Sequence, residues 1–493
     1  MAILGLVKGV PLWLSASIVT ACNAMVFGMD TGTIGPVTTM DSFVKTFGEF
    51  SSTMHGVIVS SILLPGVLAA LVAGILADRY GRTRMIAIGS VVFGLGAVVE
   101  AASSQLGIFI VGRLIKGVGE GIFLSTVYVH VCEISPAKVR GIIASIPQFM
   151  ITLGLVAGFF ISYGTASLQG SISWRLPIAI QAFLAFANAA LCGLVPPSPR
   201  WLFAKGRPEQ ARTIIAMLGL DDDEQAELLT LAVSGLEHSP DLSFWHNLRQ
   251  TAIEFREAFS KPFRARTVFG CFIMAMQQFS GIDGYAPILL QQAGVSSSQA
   301  SFLASGVSAL LIMAVTVPAT LFADRWGRKT STLVGGASIF FLMLLMGSMY
   351  AAGEVHADSG AGRWVVIVSI YLFALVFNAT WAIGIRAFLI ESLPRKTRSS
   401  GASLGQGSNW LANYVVALTT PVFISSSSFG AYYFFAFCSL FTTIVCALFM
   451  YETKGHSLEV IEQRYLERQV RSTGRWRPSI QGFRMRRIRA SEG

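Results

Sequence analysis

Two ionisable residues of opposite sign stand inside apolar sequence. Asp30 lies in MVFGMDTGTIGP (25–36), and Arg113 lies in GRLIKGVGEG (112–121). Asp30 sits about 20 residues, or about 30 Å of helix, into the first apolar run, and Arg113 precedes Glu133, at the far end of its own run, by a similar distance. Both therefore fall at one depth. A lone charge in hydrocarbon costs at least about 2.5–3.5 kcal/mol, so two at one depth read as partners facing a protein interior. A carboxyl in such a place binds and releases a proton, and its affinity depends on the distance to the guanidinium. The alternative is a fixed structural ion pair.

The surroundings of these residues set what can hold them. The chain has 493 residues, of which 53% are hydrophobic and 13% charged, with mean hydropathy +0.60. Soluble chains carry about 25% charged residues, so lipid must cover much of this surface. Twelve apolar runs near the 20 residues a bilayer-spanning helix needs occupy residues 11–450. The first run has no small-residue cleavage site and reads as an uncleaved helix. Net charge is +10, and 30 of the 37 Lys and Arg fall in even-numbered connections and the tail. That bias puts both termini on the cytoplasmic side and assigns the positive charge to topology and anionic lipid, not nucleic acid. The six cysteines lie within or at the ends of apolar runs without paired spacing and read as packing residues. No metal cluster, phosphate loop or nucleophile–base set is legible, so the expectation is no enzyme, no metal and no cofactor.

The organisation expected is a six-helix half at 1–195, a cytoplasmic helical insert at 196–265, a second six-helix half at 266–450 and a basic tail at 451–493. The halves echo each other. GILADRYGRTR (74–84) matches TLFADRWGRKT (320–330), and CEISPAKVRG (132–141) matches IESLPRKTRSSG (390–401). Asp78, Arg79, Arg82, Glu133, Arg140, Asp324, Arg325, Arg328, Glu391 and Arg398 then stand where helices leave the membrane. Carboxylates and guanidiniums there can form bidentate pairs between neighbouring helices. Solvated turns that merely set topology are the plainer alternative. Repeated halves suit a carrier that rocks one half against the other.

These repeats, together with PPSPRWL (196–202), QQFSGI (277–282) and ETKGHSLE (452–459), resemble the sugar porter family of the major facilitator superfamily over nearly the whole chain. The wording of SGIDG and WAIGIR resembles fungal members. The resemblance implies an all-α membrane fold of twelve transmembrane helices in two pseudo-symmetric halves. It implies carriage of a sugar-like solute by alternating access, a plasma-membrane location and a monomer. Proton-coupled members resemble the Asp30–Arg113 arrangement, so coupled import is expected, with protons and the bilayer as further partners. An uncoupled facilitator and a non-transporting nutrient sensor remain as alternatives. The loop charges are, by resemblance, a latch on the cytoplasmic side.

The resemblance also implies a substrate site. Gln148, Gln277, Gln278, Asn409 and Trp410 match sugar-contacting positions of the family; hydrogen bonding between helices is the other reading of those amides. The chain departs from the pattern in its seventh run, where GIDGYAPILL (281–290) is about three residues short, carries Asp283 in place of the usual Asn, and keeps one tyrosine, Tyr285. In the tenth run, Arg386 stands at the pocket wall, where it would suit an acidic substrate, pair with Asp283 or snorkel. Trp381 there is expected to supply aromatic surface.

Overall fold

The computed structural model describes residues 10–136, 139, 143, 145–219, 244–261, 263–281, 289–290, 293, 298–355, 360–394, 397–427 and 429–454, with backbone alone at 244–245, 247, 298–305, 320–325 and 398–399. Among them the chain runs through α1 (Leu12–Thr38), α2 (Asp41–Phe47), α3 (Ser52–Ser60), α4 (Leu63–Tyr80), α5 (Arg82–Ala102), α6 (Leu106–Ile134), α7 (Ile146–Ala166) and α8 (Ile172–Cys192). The short helices α9 (Pro199–Ala204), α10 (Pro208–Leu218) and α11 (Phe244–Ala258) follow. The second set is α12 (Arg264–Gln278), α13 (Ser298–Trp326), α14 (Arg328–Ala351), α15 (Ala361–Ala379), α16 (Trp381–Ser392), α17 (Arg398–Ser426) and α18 (Gly430–Phe449).

Every one of the twelve apolar runs carries helix, the conformation that satisfies backbone polar groups within one segment when no water is present. Eight helical segments of the described residues are long and apolar enough to cross a membrane. α6 carries Arg113, Lys116 and Glu120 within its length and Glu133 in its last turn. Large apolar side chains such as Phe183, Phe341, Phe437 and Leu448 point outward from the bundle. That outer surface suits lipid.

Helices approach closely where glycine removes the side chain. Between α1 and α7, a Cβ on Gly28 would lie 1.9 Å from the Ile151 carbonyl oxygen, and one on Gly154 would lie 2.0 Å from that of Met25. Between α5 and α6, Gly89, Gly96, Gly112 and Gly119 fit against each other's helix in the same way. Two large apolar cores form, and Val59 packs against both. One gathers Ile58, Phe93, Phe109, Phe123, Val127 and Trp174 from the first set of helices. The other gathers Ile273, Ile339, Met343, Trp381, Phe388 and Phe435 from the second.

The ADRxGR repeat forms the same turn twice. Gly81 has φ +99° and Gly327 φ +78°, a region L side chains rarely enter, so the helix stops and restarts at each. The short amphipathic helices α9 and α10 form a third cluster, in which Trp201, Leu202, Ile214 and Ile215 pack with Ala16 of α1 and Ile134 of α6. Ser198 caps α9 by accepting from the Trp201 amide, and Gly219, at φ +66°, closes α10.

Candidate functional site: a buried charge cluster and a polar seam between halves

Asp30 is buried on α1, and α6 carries Arg113 and Lys116 three residues apart on the face toward it. Glu100, near the end of α5, completes the group. Lys116 Nζ donates to Asp30 Oδ1, to Glu100 Oε2 at 2.6 Å and to Gln181 Oε1 of α8 at 3.0 Å. Arg113 Nη2 is 3.6 Å from Asp30 Oδ2, and its Nη1 donates to Glu100 Oε1 at 3.4 Å. The break between α3 and α4 lies just ahead of Pro65, and there the Val59 carbonyl accepts from Arg113 Nη2 at 3.1 Å. Asp30, Glu100, Arg113 and Lys116 are each at most 4% exposed.

The expected Asp30–Arg113 pair is one contact of a larger cluster. The two do meet, but the closer cation on Asp30 is Lys116, and Arg113 divides its guanidinium between two carboxylates and a carbonyl. Lys116, Glu120 and Glu100 were all readable. Lys116 and Glu120 follow Arg113 at three and seven residues, the spacing of one helix face. Counting residues gives the depth of Arg113, and the same counting along the helix gives the charges on its stripe.

The polar residues expected to touch substrate fall into two groups. Gln277 of α12 is buried and bonded at both ends of its amide: Nε2 donates to the Trp381 carbonyl at 2.7 Å, and Oε1 accepts from Asn409 Nδ2 at 3.0 Å. Gln278 Nε2 donates to Asn409 Oδ1 at 3.1 Å, and Asn409 Nδ2 also donates to the Met274 carbonyl at 2.8 Å. The second group joins the halves. Gln148 Oε1 of α7 accepts from Arg386 Nη1 of α16 at 3.2 Å and from the Tyr128 hydroxyl at 3.4 Å. Arg386 therefore neither snorkels nor stands alone, and its Nε is left without a partner among the described residues. Trp410 of α17 crosses to the first half, where its ring lies against Gly66 of α4. Gln148, Gln278, Arg386 and Trp410 are half-buried, while Gln277 and Asn409 are held inside.

Trp381 does not supply an open aromatic face in this conformation. Its ring is fully buried against Gly335 and Gly336, and Nε1 donates to the Thr332 carbonyl at 2.8 Å. Asp283 and Tyr285 lie outside the described residues, as do Arg140 and the side chains of Asp324, Arg325 and Arg398.

At the charged end of the bundle each half closes on itself. Arg82 donates through Nε and Nη2 to Glu133 at 3.1 and 3.4 Å, and Nη2 lies 2.7 Å from Asp78. In the other half Arg328 Nη2 donates to Glu391 Oε1 at 2.8 Å. Arg79 stacks on Tyr80. The motifs after α8 and α18 dock at equivalent turns. Trp201 packs on Gly81 and donates to the Asp78 carbonyl at 2.9 Å. Glu452 sits against Gly327 and accepts the Arg328 and Lys329 amides at 2.7 and 3.1 Å, capping α14. Burial alone would raise the Glu452 carboxyl, but the amides of Lys454, Arg328, Lys329 and Thr453 outweigh it and hold the group below its usual value.

Chemically, the arrangement offers a buried carboxylate held by two cations, and a half-buried row of amides, guanidinium and indole that runs from one half to the other. Residues 16–465 match the family model described as sugar (and other) transporter. The chain is 26% identical to the high-affinity glucose transporter of Kluyveromyces lactis, over 91% of this chain and 84% of that one. It is 29% identical to hexose transporter HXT10 of Saccharomyces cerevisiae, over 93% and 86%. It is 28% identical to glucose transporter GlcP of Staphylococcus epidermidis, over 92% and 97%. The inward open xylose transporter XylE from E. coli superposes with a TM-score of 0.72 at 23% identity, covering 92% of this chain and 99% of that one. The chain is thus a multi-pass membrane protein with the major facilitator fold, not an enzyme, and it belongs to the sugar transporter family.

Proposed function

We propose that this protein imports a neutral hexose in symport with a proton, as a monomer in the plasma membrane with both termini in the cytosol. The observation that carries this reading is the Asp30 carboxylate, buried and held by Lys116 and Arg113. Withdrawing them leaves a buried carboxylate that is stable only when protonated, so shape change and proton binding are coupled. Three of the relatives above are named as glucose or hexose transporters, and a XylE structure described as that of a proton:xylose symporter holds 6-bromo-6-deoxy-D-glucose. These names support a hexose over an acidic sugar. The use of Arg386 on Gln148 supports it too, since the guanidinium is already partnered by an amide. Gln148, Gln278, Arg386 and Trp410 contact the sugar, while Gln277 and Asn409 hold Gln278 in place. The paired charges at Arg82–Glu133 and Arg328–Glu391 latch the cytosolic side when the site faces outward.

The test is sugar uptake in a transport-deficient host and in proteoliposomes with an imposed proton gradient. Asp30→Asn is expected to exchange labelled sugar across the membrane yet fail to accumulate it uphill. Undiminished accumulation by that variant overturns proton coupling through Asp30 and leaves an uncoupled carrier. A chain that binds glucose but moves none is a sensor.

A further inference from the structure

Glu120 lies on α6 one turn beyond Lys116. It is fully buried, and neither Oε1 nor Oε2 has a hydrogen-bond partner among the described residues. The neighbouring cluster has no cation to spare. Asp30 and Glu100 bring two negative charges, Arg113 and Lys116 bring two positive ones, and the four groups close on one another. The charged groups that bear on Glu120 are Asp30 of α1 and, on its own helix, Arg113 and Lys116. From α5 the acid of the cluster is Glu100, already held by both cations. From α8 comes the neutral amide of Gln181, and from α4 the backbone and small side chains at Gly66 and Ala69 pack beside Glu120 on Gly121. An ionised carboxylate without a partner is strongly disfavoured in such surroundings, and the group takes up a proton instead.

We propose that Glu120 is a second proton-carrying carboxyl, loaded in this conformation, and that Lys116 exchanges between Asp30 and Glu120. Lys116 and Glu120 are four residues apart on one helix, the spacing at which an ammonium and a carboxylate meet. While Lys116 sits on Asp30, Asp30 is ionised and Glu120 is neutral. When the ammonium turns to Glu120, the O–H bond at the Glu120 carboxyl breaks, and the proton passes through water to form an O–H bond at Asp30. The total charge of the five groups is the same before and after, so the transfer needs no other counter-ion. The proton thereby moves about one helical turn along α6, relative to the ends of the bundle, as the halves rearrange. The inference rests on the proton-coupled reading and adds to it a second station and the residue that selects between the two.

The experiment compares wild type, Asp30→Asn and Glu120→Gln in proteoliposomes, reading glucose-driven proton influx beside glucose exchange, with infrared difference spectra of the same samples. Glu120→Gln replaces a neutral carboxyl by a neutral amide of the same shape. It is expected to keep glucose exchange, to lose uphill accumulation, and to lose a carbonyl band of a protonated carboxylic acid that wild type shows. If wild type moves no protons with sugar, the proton-coupled reading falls and takes this inference with it. If wild type is coupled while Glu120→Gln keeps both its proton-to-sugar ratio and the carboxylic acid band, the inference alone is overturned. Should Glu120→Gln fail to assemble, Glu120→Asp carries the same readouts, with the band displaced in place of lost.

Discussion

Arg386 of α16 and Gln148 of α7 meet across the two halves of the bundle, guanidinium Nη1 to amide oxygen, at 3.2 Å. They are 238 positions apart in the chain, and the Tyr128 hydroxyl approaches the same amide oxygen. On the alternating-access reading proposed above, a rocking of one half against the other strains this bond.

Removing that bond should therefore change both affinity and the balance of conformations. A hydrogen bond to a charged group contributes about 1.5–3 kcal/mol. Arg386→Ala and Gln148→Ala are each expected to raise the KM for glucose by about tenfold or more. The double variant should show a loss smaller than the two single losses combined, because they share one bond. Uptake kinetics of the three variants check this; additive losses would show that the two side chains act independently.

Lys116 holds Asp30, Glu100 and Gln181 together, so its removal should cost more than the removal of either acid. Lys116→Met leaves two buried carboxylates beside the single guanidinium of Arg113. Breaking one partner of a buried ion group costs about 3–5 kcal/mol. The thermal unfolding midpoint in detergent is expected to fall clearly. Adding Glu100→Gln to Lys116→Met should recover part of the loss, since it removes the surplus charge. No recovery in the double variant would contradict the charge balance described here.

Gly28 provides a test of packing between α1 and α7. A methyl group there would meet the Ile151 carbonyl oxygen at 1.9 Å, whereas at Gly107 nothing lies within 4 Å. Overpacking of this kind costs about 1–3 kcal/mol. Gly28→Ala is expected to lower the unfolding midpoint and the yield of folded protein, with Gly107→Ala close to wild type in both.

Glu452 gives the protein a pH dependence of known sign. Its carboxyl is held below the ordinary value of 4.5 in the folded chain. A carboxyl so lowered contributes stability above its unfolded value, and that contribution disappears as pH falls through the lowered folded value. Glu452→Gln should therefore unfold at a lower temperature than wild type at neutral pH, and the gap should shrink on acidification below the ordinary carboxylate range. Thermal scans of both proteins across a pH series measure it; a gap that widens in acid would contradict the capping role at α14.

Depth, repetition and composition were legible in the chain itself. Apolar runs of bilayer length specify helices because backbone groups have no other partner in lipid. The ADRxGR repeat specifies two equivalent turns because a glycine must follow each, and the depth of Asp30 and Arg113 follows from counting residues at a fixed rise. Counting also predicts that Lys116 and Glu120 share a face with Arg113. Tertiary packing decided the rest: that Lys116 and not Arg113 sits closest on Asp30, that Glu100 joins them from α5, and that Trp381 turns inward on Gly335 and Gly336. It also decided that Arg386 finds Gln148 in the other half and that Glu452 caps a helix more than a hundred residues earlier. Periodicity fixes how far along a helix and on which face a residue stands. It does not fix which neighbouring helix that face meets or how a long side chain divides among several partners, because those depend on where glycines let separate helices approach.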